Sequence, residues 1–452
     1  MTRKATKLGL PIKLAYALPA FAMAVVGIPI YIYIPKFYTD VIGLNISVVG
    51  AVLLSLRVFD AITDPLMGLI SDRTTTPHGR RRPYIAGGSL LLAASIVCLF
   101  NPPAMGIPAT TAWFLTWLAL VFLFWTLTVV PYESLGPELI HDYHERTVLF
   151  GYRDGFLIAG TMVAATAPVV IRSLLADANA PDADQAVFFI MSIIYAPLIV
   201  CCCGICFFVV KEADPTKKRT SFKLRESLAT TFQNKPFCIL LLAFSFSAVA
   251  AQMPATLILF YVEYVLESSK AELFLLIYFV SGIALLPAWI WVSRRIGKKA
   301  AWMISMGINT GAFFYVFWLG PGDEWLYGVL VFVSGIGFGA GLALPSALTA
   351  DVIDYDQAFS GERREGQYIG IFSVAKKMAG AAGAGIGLWA LGLFGYVPGQ
   401  PQSPEVVLAL RTLYALVPCI LSIVAFLIAG FYPLSEARHQ EILKQLHKRE
   451  QG

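Results

Sequence analysis

The chain has 452 residues, 57% of them apolar and 14% charged, with a formal net charge of +5; soluble proteins run at roughly 45–50% apolar and about 25% charged. A globule of this size cannot hide so much apolar surface from water, so lipid is the solvent for much of the chain and the soluble enzyme classes are excluded. The apolar residues come in long runs and not in short alternating strands, which excludes a membrane β-barrel and leaves an all-α membrane protein.

A helical crossing of the bilayer takes about 20 mostly apolar residues. Twelve such stretches are predicted in chain order: 15–38, 46–71, 84–104, 112–137, 149–174, 186–210, 236–262, 271–293, 299–319, 324–350, 368–397 and 407–432. The basic N-terminus before the first stretch imitates a signal peptide, but the apolar run to Tyr38 is too long for a cleaved segment and reads as an uncut span. Most of the 34 Lys and Arg fall at the two termini and in the even-numbered loops, whereas the odd loops and their flanks hold Arg172, Lys270 and Arg411. Basic residues stay cytoplasmic, which predicts both termini inside. The positive balance is then a topology signal beside an anionic leaflet and calls for no nucleic acid.

Charges within the spans are costly, by about 2.5–3.5 kcal/mol each on insertion scales, so each needs a partner or a wet cavity. In the second span Asp60 and Asp64 lie four apart on one helix face, with Arg57 one turn away. Two carboxylates this close repel unless a proton or cation sits between them, so the pair reads as a monovalent-cation site; a structural Arg57–Asp60 ion pair is the bland alternative. In the fourth span Glu133 follows Pro131 and Tyr132, where a local helix break is expected. In the fifth, Arg153 and Asp154 are about 100° apart around the helix, so each is expected to reach a neighbouring helix or the cavity instead of the other. The eleventh span carries Lys376 and Lys377, about 8–9 residues or roughly 13 Å inside; one is expected at the substrate and the other in packing.

The longest connection, 211–235, divides the chain into an N-terminal half (1–210) and a C-terminal half (236–432), followed by a tail (433–452). Ser71-Asp72-Arg73 with Gly79-Arg80-Arg81 closes the second span, and Ser293-Arg294-Arg295 with Gly297-Lys298-Lys299 closes the eighth. A turn recurring at the same point in each half is the mark of a parallel repeat: two six-helix halves in the major facilitator arrangement, with the substrate site expected at midplane. The glycines Gly335, Gly337, Gly339 and Gly341, and Gly380, Gly383, Gly385 and Gly387, lack a preceding strand and read as close helix approach, not phosphate binding. Cys201, Cys202, Cys203 and Cys206 read as small apolar packing residues, and His141 to Glu145 as a solvated loop. No nucleophile, triad or Walker loop is found, so no enzyme, cofactor or ATP-driven pump is expected.

These residues resemble a known family. Arg57-x-x-Asp60-Ala61-x-x-Asp64-Pro65-x-x-Gly68, Ser71-Asp72-Arg73-Thr74, Gly79-Arg80-Arg81-Arg82-Pro83, Pro131-Tyr132, Asp351-Val352-Ile353-Asp354-Tyr355-Asp356, Gly361-x-Arg363-Arg364-Glu365-Gly366, Lys377 and Gly395-Tyr396 look like the glycoside–pentoside–hexuronide:cation symporters, in family order along nearly the whole chain. The resemblance implies a bacterial inner-membrane importer of a sugar or glycoside, coupled to H+ or Na+. It places the cation site on Asp60, Thr63, Asp64 and Thr126, and substrate contacts on Arg153 and Lys377, with Glu133, Tyr132 and Lys376 beside them. A cytoplasmic gate is expected from Arg57, Asp72, Arg73, Arg80, Arg81, Arg294, Arg295, Asp351 and Asp354.

Two departures matter. A melibiose-transporting member has Asn where this chain has Thr63, which leaves sodium against proton open. Two acidic sugar-binding positions fall on Ala24 and Val129. Set against Lys36, Arg57, Arg153, Lys376 and Lys377, the embedded Asp60, Asp64, Glu133 and Asp154 leave a positive balance once a cation is bound, so an anionic sugar fits at least as well as a neutral one. A lysolipid or other amphipath transporter, and a non-transporting sensor or assembly protein, are the competing readings. The chain is expected to act as a monomer among membrane lipids.

Overall fold

The computed structural model describes residues 8–139, 143–175, 183–212, 231–360, 364–436 and 438–442. Among them the regular structure is helical throughout. The chain forms two compact units, residues 1–218 with 397–400 and residues 219–396 with 401–452. The 213–230 part of the predicted linker and the tail beyond residue 442 lie outside the described residues.

The first unit is built from α1 (Leu10–Val41), α2 (Ile46–Arg73), α3 (Arg82–Phe100), α4 (Ile107–Leu139), α5 (Tyr143–Leu174) and α6 (Ala183–Val209). The second contains α7 (Lys235–Tyr264), the pair α8 (Ala271–Ala284) and α9 (Leu286–Ile296), α10 (Lys298–Val316), α11 (Glu324–Ser360), α12 (Glu365–Leu393) and α13 (Pro404–Gly430). Every predicted stretch therefore meets a helix. Nine described helices are long and apolar enough to cross a membrane, and α8–α9, bent by 45°, makes a tenth. The remaining two stretches, the ninth and the eleventh, are helical as α10 and α12; Lys376 and Lys377 interrupt the apolar run of α12.

Packing repeats from one unit to the other. In the first, α1 packs on α5 and α6, α3 on α4 and α6, and α2 on α4. In the second, α7 packs on α12 and α13, α10 on α11 and α13, and α8 on α11. With the bent α8–α9 pair counted as one span, these are the same five pairings six spans later, as a parallel duplication requires. Close approach depends on small residues, because lipid supplies no hydrophobic force between helices. A Cβ on Gly160 of α5 would lie 2.4 Å from the Phe21 carbonyl oxygen of α1, and one on Gly383 of α12 would lie 2.9 Å from the Val249 carbonyl of α7. The Gly-rich run of α11 behaves likewise: Cβ atoms on Gly335, Gly337 and Gly339 would lie 2.7, 2.9 and 2.3 Å from carbonyls of α8 and α10. Gly341 and Gly380 meet nothing within 4 Å.

Two local features differ from expectation. α1 is not a uniform helix: π-helical turns at Pro29–Tyr33 and Phe37–Val41 open it near Pro29 and Pro35. α4 runs without a break through Pro131 to Leu139. A proline removes one backbone bond, and long membrane helices absorb that loss through local adjustment and neighbouring helices.

Candidate functional site

The carboxylate pair on α2 is met by a hydroxyl from α4. Thr126 Oγ1 lies 2.7 Å from Asp60 Oδ1 and 2.9 Å from Asp64 Oδ1. Asp60 and Thr126 are 1% and 2% exposed, so the contact is made in the interior of the unit. A hydroxyl carries one proton and can donate it to one acceptor at a time. Two carboxylate oxygens that converge on one hydroxyl concentrate negative charge around one point, an arrangement that attracts a proton or a cation. Arg57 does not fill that role well, since its Nη1 stands 3.4 Å from Asp60 Oδ2, on the other carboxylate oxygen. Its guanidinium lies over two rings, 4.1 Å from the centre of Tyr31 and 4.8 Å from that of Phe122, an arrangement that holds a cation by its attraction to the ring faces. Arg57, expected at the gate, stands beside the carboxylate pair. Thr63, expected among the cation ligands, donates its hydroxyl proton to the Asp60 carbonyl of its own helix at 3.2 Å.

Neither Tyr31 nor Phe122 was among the residues expected at the site. Tyr31 lies in the first π-helical turn of α1, and two prolines close together in an apolar run were the available signal for such an irregularity.

A second cluster surrounds Arg153 on α5. Contrary to the helical-wheel expectation, Arg153 pairs with its neighbour: Nε and Nη2 lie 2.9 and 2.7 Å from the single oxygen Asp154 Oδ1. The long arginine stem folds back along the helix, which the angle between the two Cα–Cβ directions does not forbid. The guanidinium also covers the Phe150 ring at 4.7 Å. Phe150 meets Tyr16 edge to face with centroids 6.5 Å apart, and Tyr16 packs on Tyr132 at 5.0 Å. Tyr132 donates its hydroxyl to the Tyr16 carbonyl at 2.8 Å, which gives it a structural bond across α1 and α4. Glu133 is exposed beside it. Ala24, where an acidic sugar ligand falls in the family, stands at the α1–α5 contact; a Cβ on Gly160 would be 2.9 Å from its Cβ. On α12, Lys376 is exposed and Lys377 half-buried. Lys36, counted among the cavity cations, forms an ion pair with Asp40 at 3.1 Å, so its charge is offset locally.

The two recurring turns are held by different chemistry. In the first unit Glu212, just past α6, accepts from three successive backbone N–H groups at the start of α3: Arg80 at 2.9 Å and Arg81 and Arg82 at 2.8 Å. A carboxylate at a helix N-terminus satisfies orphan donors and meets the positive end of the helix dipole. Gly79 (φ +101) lets the chain turn there, and a Cβ on it would stand 2.7 Å from the Glu212 carboxylate. Arg82 adds hydrogen bonds to the Phe207 carbonyl. Arg81 is buried and Arg73 exposed; the Asp72 side chain lies outside the described residues.

In the second unit Asp351 pairs with Lys298 at 2.5 Å, while His439 lies 3.1 Å from Asp354 and 3.6 Å from Asp351. Of the expected gate arginines there, Arg295 lies over the Trp291 ring at 5.4 Å, and Arg294 is exposed. Glu212, Lys298 and His439 are the partners that sequence reading missed. Residues 140–142 and 361–363 of the motifs singled out above lie outside the described residues, and Glu145 forms an ion pair with Lys13 at 2.9 Å.

The MFS/sugar transport protein family matches residues 15–436. Similar curated proteins include the Escherichia coli glucuronide carrier protein homolog, 30% identical over 95% of this chain and 92% of that protein. The Salmonella typhimurium putative sulfoquinovose importer is 28% identical over 98% and 94%. The Escherichia coli putative glycoside/cation symporter YagG is 26% identical over 99% and 97%. Among solved structures, a variant of nucleoside transporter NupG superposes with a TM-score of 0.66 at 13% identity, covering 93% of this chain and 99% of that one. A proton dependent oligopeptide transporter gives 0.67 at 13% identity, covering 97% and 98%. The structural likenesses concern the fold; the family match and the relatives carry the assignment. The chain belongs to the MFS/sugar transport protein family, and it is a multi-pass membrane transporter of the glycoside–pentoside–hexuronide symporter type, not an enzyme.

Proposed function

We propose that this protein is a cation-coupled symporter of the bacterial inner membrane that imports a sugar, glycoside or anionic sugar derivative by alternating access. Twelve spans with both termini inside, and a monomer as the working unit, complete the reading. The observation that carries it is the Thr126 hydroxyl shared by Asp60 and Asp64. A cation or proton entering there removes the repulsion between the two carboxylates and ties α2 to α4. Arg153, with Glu133 of the same half, contacts the substrate, and the family resemblance adds Lys377 to the substrate residues. Names of relatives that cite glucuronide, sulfoquinovose and glycosides support a sugar-type cargo. The loss of carboxylates at Ala24 and Val129 supports a cargo other than a neutral galactoside.

The test is uptake into proteoliposomes of neutral glycosides, hexuronides, sulfonated sugars and lysolipids under separately imposed sodium and proton gradients. Uptake of a sugar driven by one of the two gradients is the expected result. Sugar uptake indifferent to both would overturn the symport reading, and uptake of lysolipids alone would replace it with the amphipath reading.

A further inference from the structure

Arg153 and Asp154 make an unusual pair in a site meant for a substrate. Both donors on one edge of the guanidinium, Nε at 2.9 Å and Nη2 at 2.7 Å, converge on one oxygen, Asp154 Oδ1. That edge is a fork matched to two parallel acceptor oxygens, and a single oxygen uses it poorly. The arginine is the more enclosed partner: its side chain is 27% exposed and lies over Phe150, whereas that of Asp154 is 56% exposed. So open a carboxylate has little of the protein around it besides Arg153 to hold it. Asp154 can therefore swing off Arg153, while the aromatic support keeps Arg153 in place.

We infer that Asp154 is a built-in stand-in for the anionic group of the cargo: it occupies Arg153 until a sugar carboxylate or sulfonate, presenting two oxygens to both donors, displaces it. This inference rests on the symport reading above and narrows it. A neutral sugar cannot offer the fork two charged oxygens, so Asp154 stays on Arg153 and the arginine is withheld from it. Asp154 is then a specificity-determining residue, and the discrimination comes from competition within the site as much as from attraction to the cargo.

The experiment compares wild type with Asp154→Asn in two measurements. The first is uptake of D-glucuronate, a sulfonated glucose and methyl glucoside into proteoliposomes. Asp154→Asn is expected to lower KM for both anionic sugars about fivefold, from the upper range of an exposed pair, with kcat little changed and no gain for methyl glucoside. The carboxylate and sulfonate arms identify which anion the site prefers. The second is calorimetric binding of the same sugars to the purified detergent-solubilised protein, where the same selective gain is expected without any transport. Asp154→Glu, which keeps the carboxylate, should retain wild-type discrimination, and in an Arg153→Gln background Asp154→Asn should have no selective effect. Asp154→Ser replaces Asp154→Asn if the latter fails to elute as a single species. Equal changes for anionic and neutral sugars, or unchanged binding of all three, would overturn the inference. Wild-type transport indifferent to both ion gradients counts against the symport reading alone, because the binding measurement still decides the role of Asp154.

Discussion

Replacing Thr126 with valine removes one oxygen and keeps the shape of the side chain. The hydroxyl it deletes stands 2.7 and 2.9 Å from two carboxylate oxygens, and the residue is 2% exposed, so water does not readily take its place. A hydrogen bond to a charged acceptor is worth about 1.5–3 kcal/mol. If that energy is held in the cation-loaded state, the cation concentration for half-maximal uptake rises by roughly 10- to 100-fold. Thr126→Ser retains the oxygen and should stay within a few-fold of wild type. The assay is initial uptake rate in proteoliposomes as external sodium, or external pH, is varied at fixed substrate. A Thr126→Val protein whose cation dependence matches wild type would refute the reasoning, because the shared hydroxyl would then be packing and nothing more.

Two further substitutions test the scaffold. Gly136→Ala places a Cβ 2.1 Å from the Tyr16 hydroxyl oxygen, with Tyr16 fully buried; overpacking of this kind costs about 1–3 kcal/mol, and a lower temperature of unfolding in detergent is the expected reading. Glu212→Gln weakens the three-fold backbone acceptor at the start of α3. A loss of about 1 kcal/mol, as for helix caps generally, should appear as faster hydrogen exchange at Arg80 to Arg82, while the cation dependence of uptake stays unchanged.

The helices were legible because lipid imposes a demand that few sequences meet by accident: an apolar run of bilayer length. Asp60 and Asp64 were legible for the converse reason, since a carboxylate in such a run must have a use. Thr126 was not distinguishable by chemistry from any other buried threonine, and it was placed only through family resemblance. Tyr31 and Phe122 stayed hidden because aromatic residues are common in apolar spans, and only the folded chain shows which of them Arg57 covers. Glu212 meets a helix start 130 residues earlier in the chain, and no spacing rule reaches that far. The failures at Pro131 and at Arg153–Asp154 share a cause. Both took an ideal helix as the limit on what its residues can do, whereas long helices adjust around a proline and an arginine stem can bend back to its neighbour.

The proposed mechanism also sets how many charges are expected to move with the cargo. Asp60 and Asp64 each place an oxygen within 2.9 Å of one hydroxyl, which is too close for two separate cations to occupy the pair without strong mutual repulsion. One cation per cycle follows from the proposed mechanism. A single positive charge crossing a 100 mV potential gains about 2.3 kcal/mol, or roughly fiftyfold accumulation, when the cargo is neutral. A monoanionic cargo cancels that charge, so its accumulation depends on the ion gradient and not on the voltage. Imposing a potassium diffusion potential on proteoliposomes and comparing methyl glucoside with D-glucuronate separates the cases: uptake of the neutral sugar should rise with voltage, and uptake of the anion should not. Voltage-driven accumulation of the anion would mean that two cations are carried, and the second would have to be held outside the space bridged by Thr126.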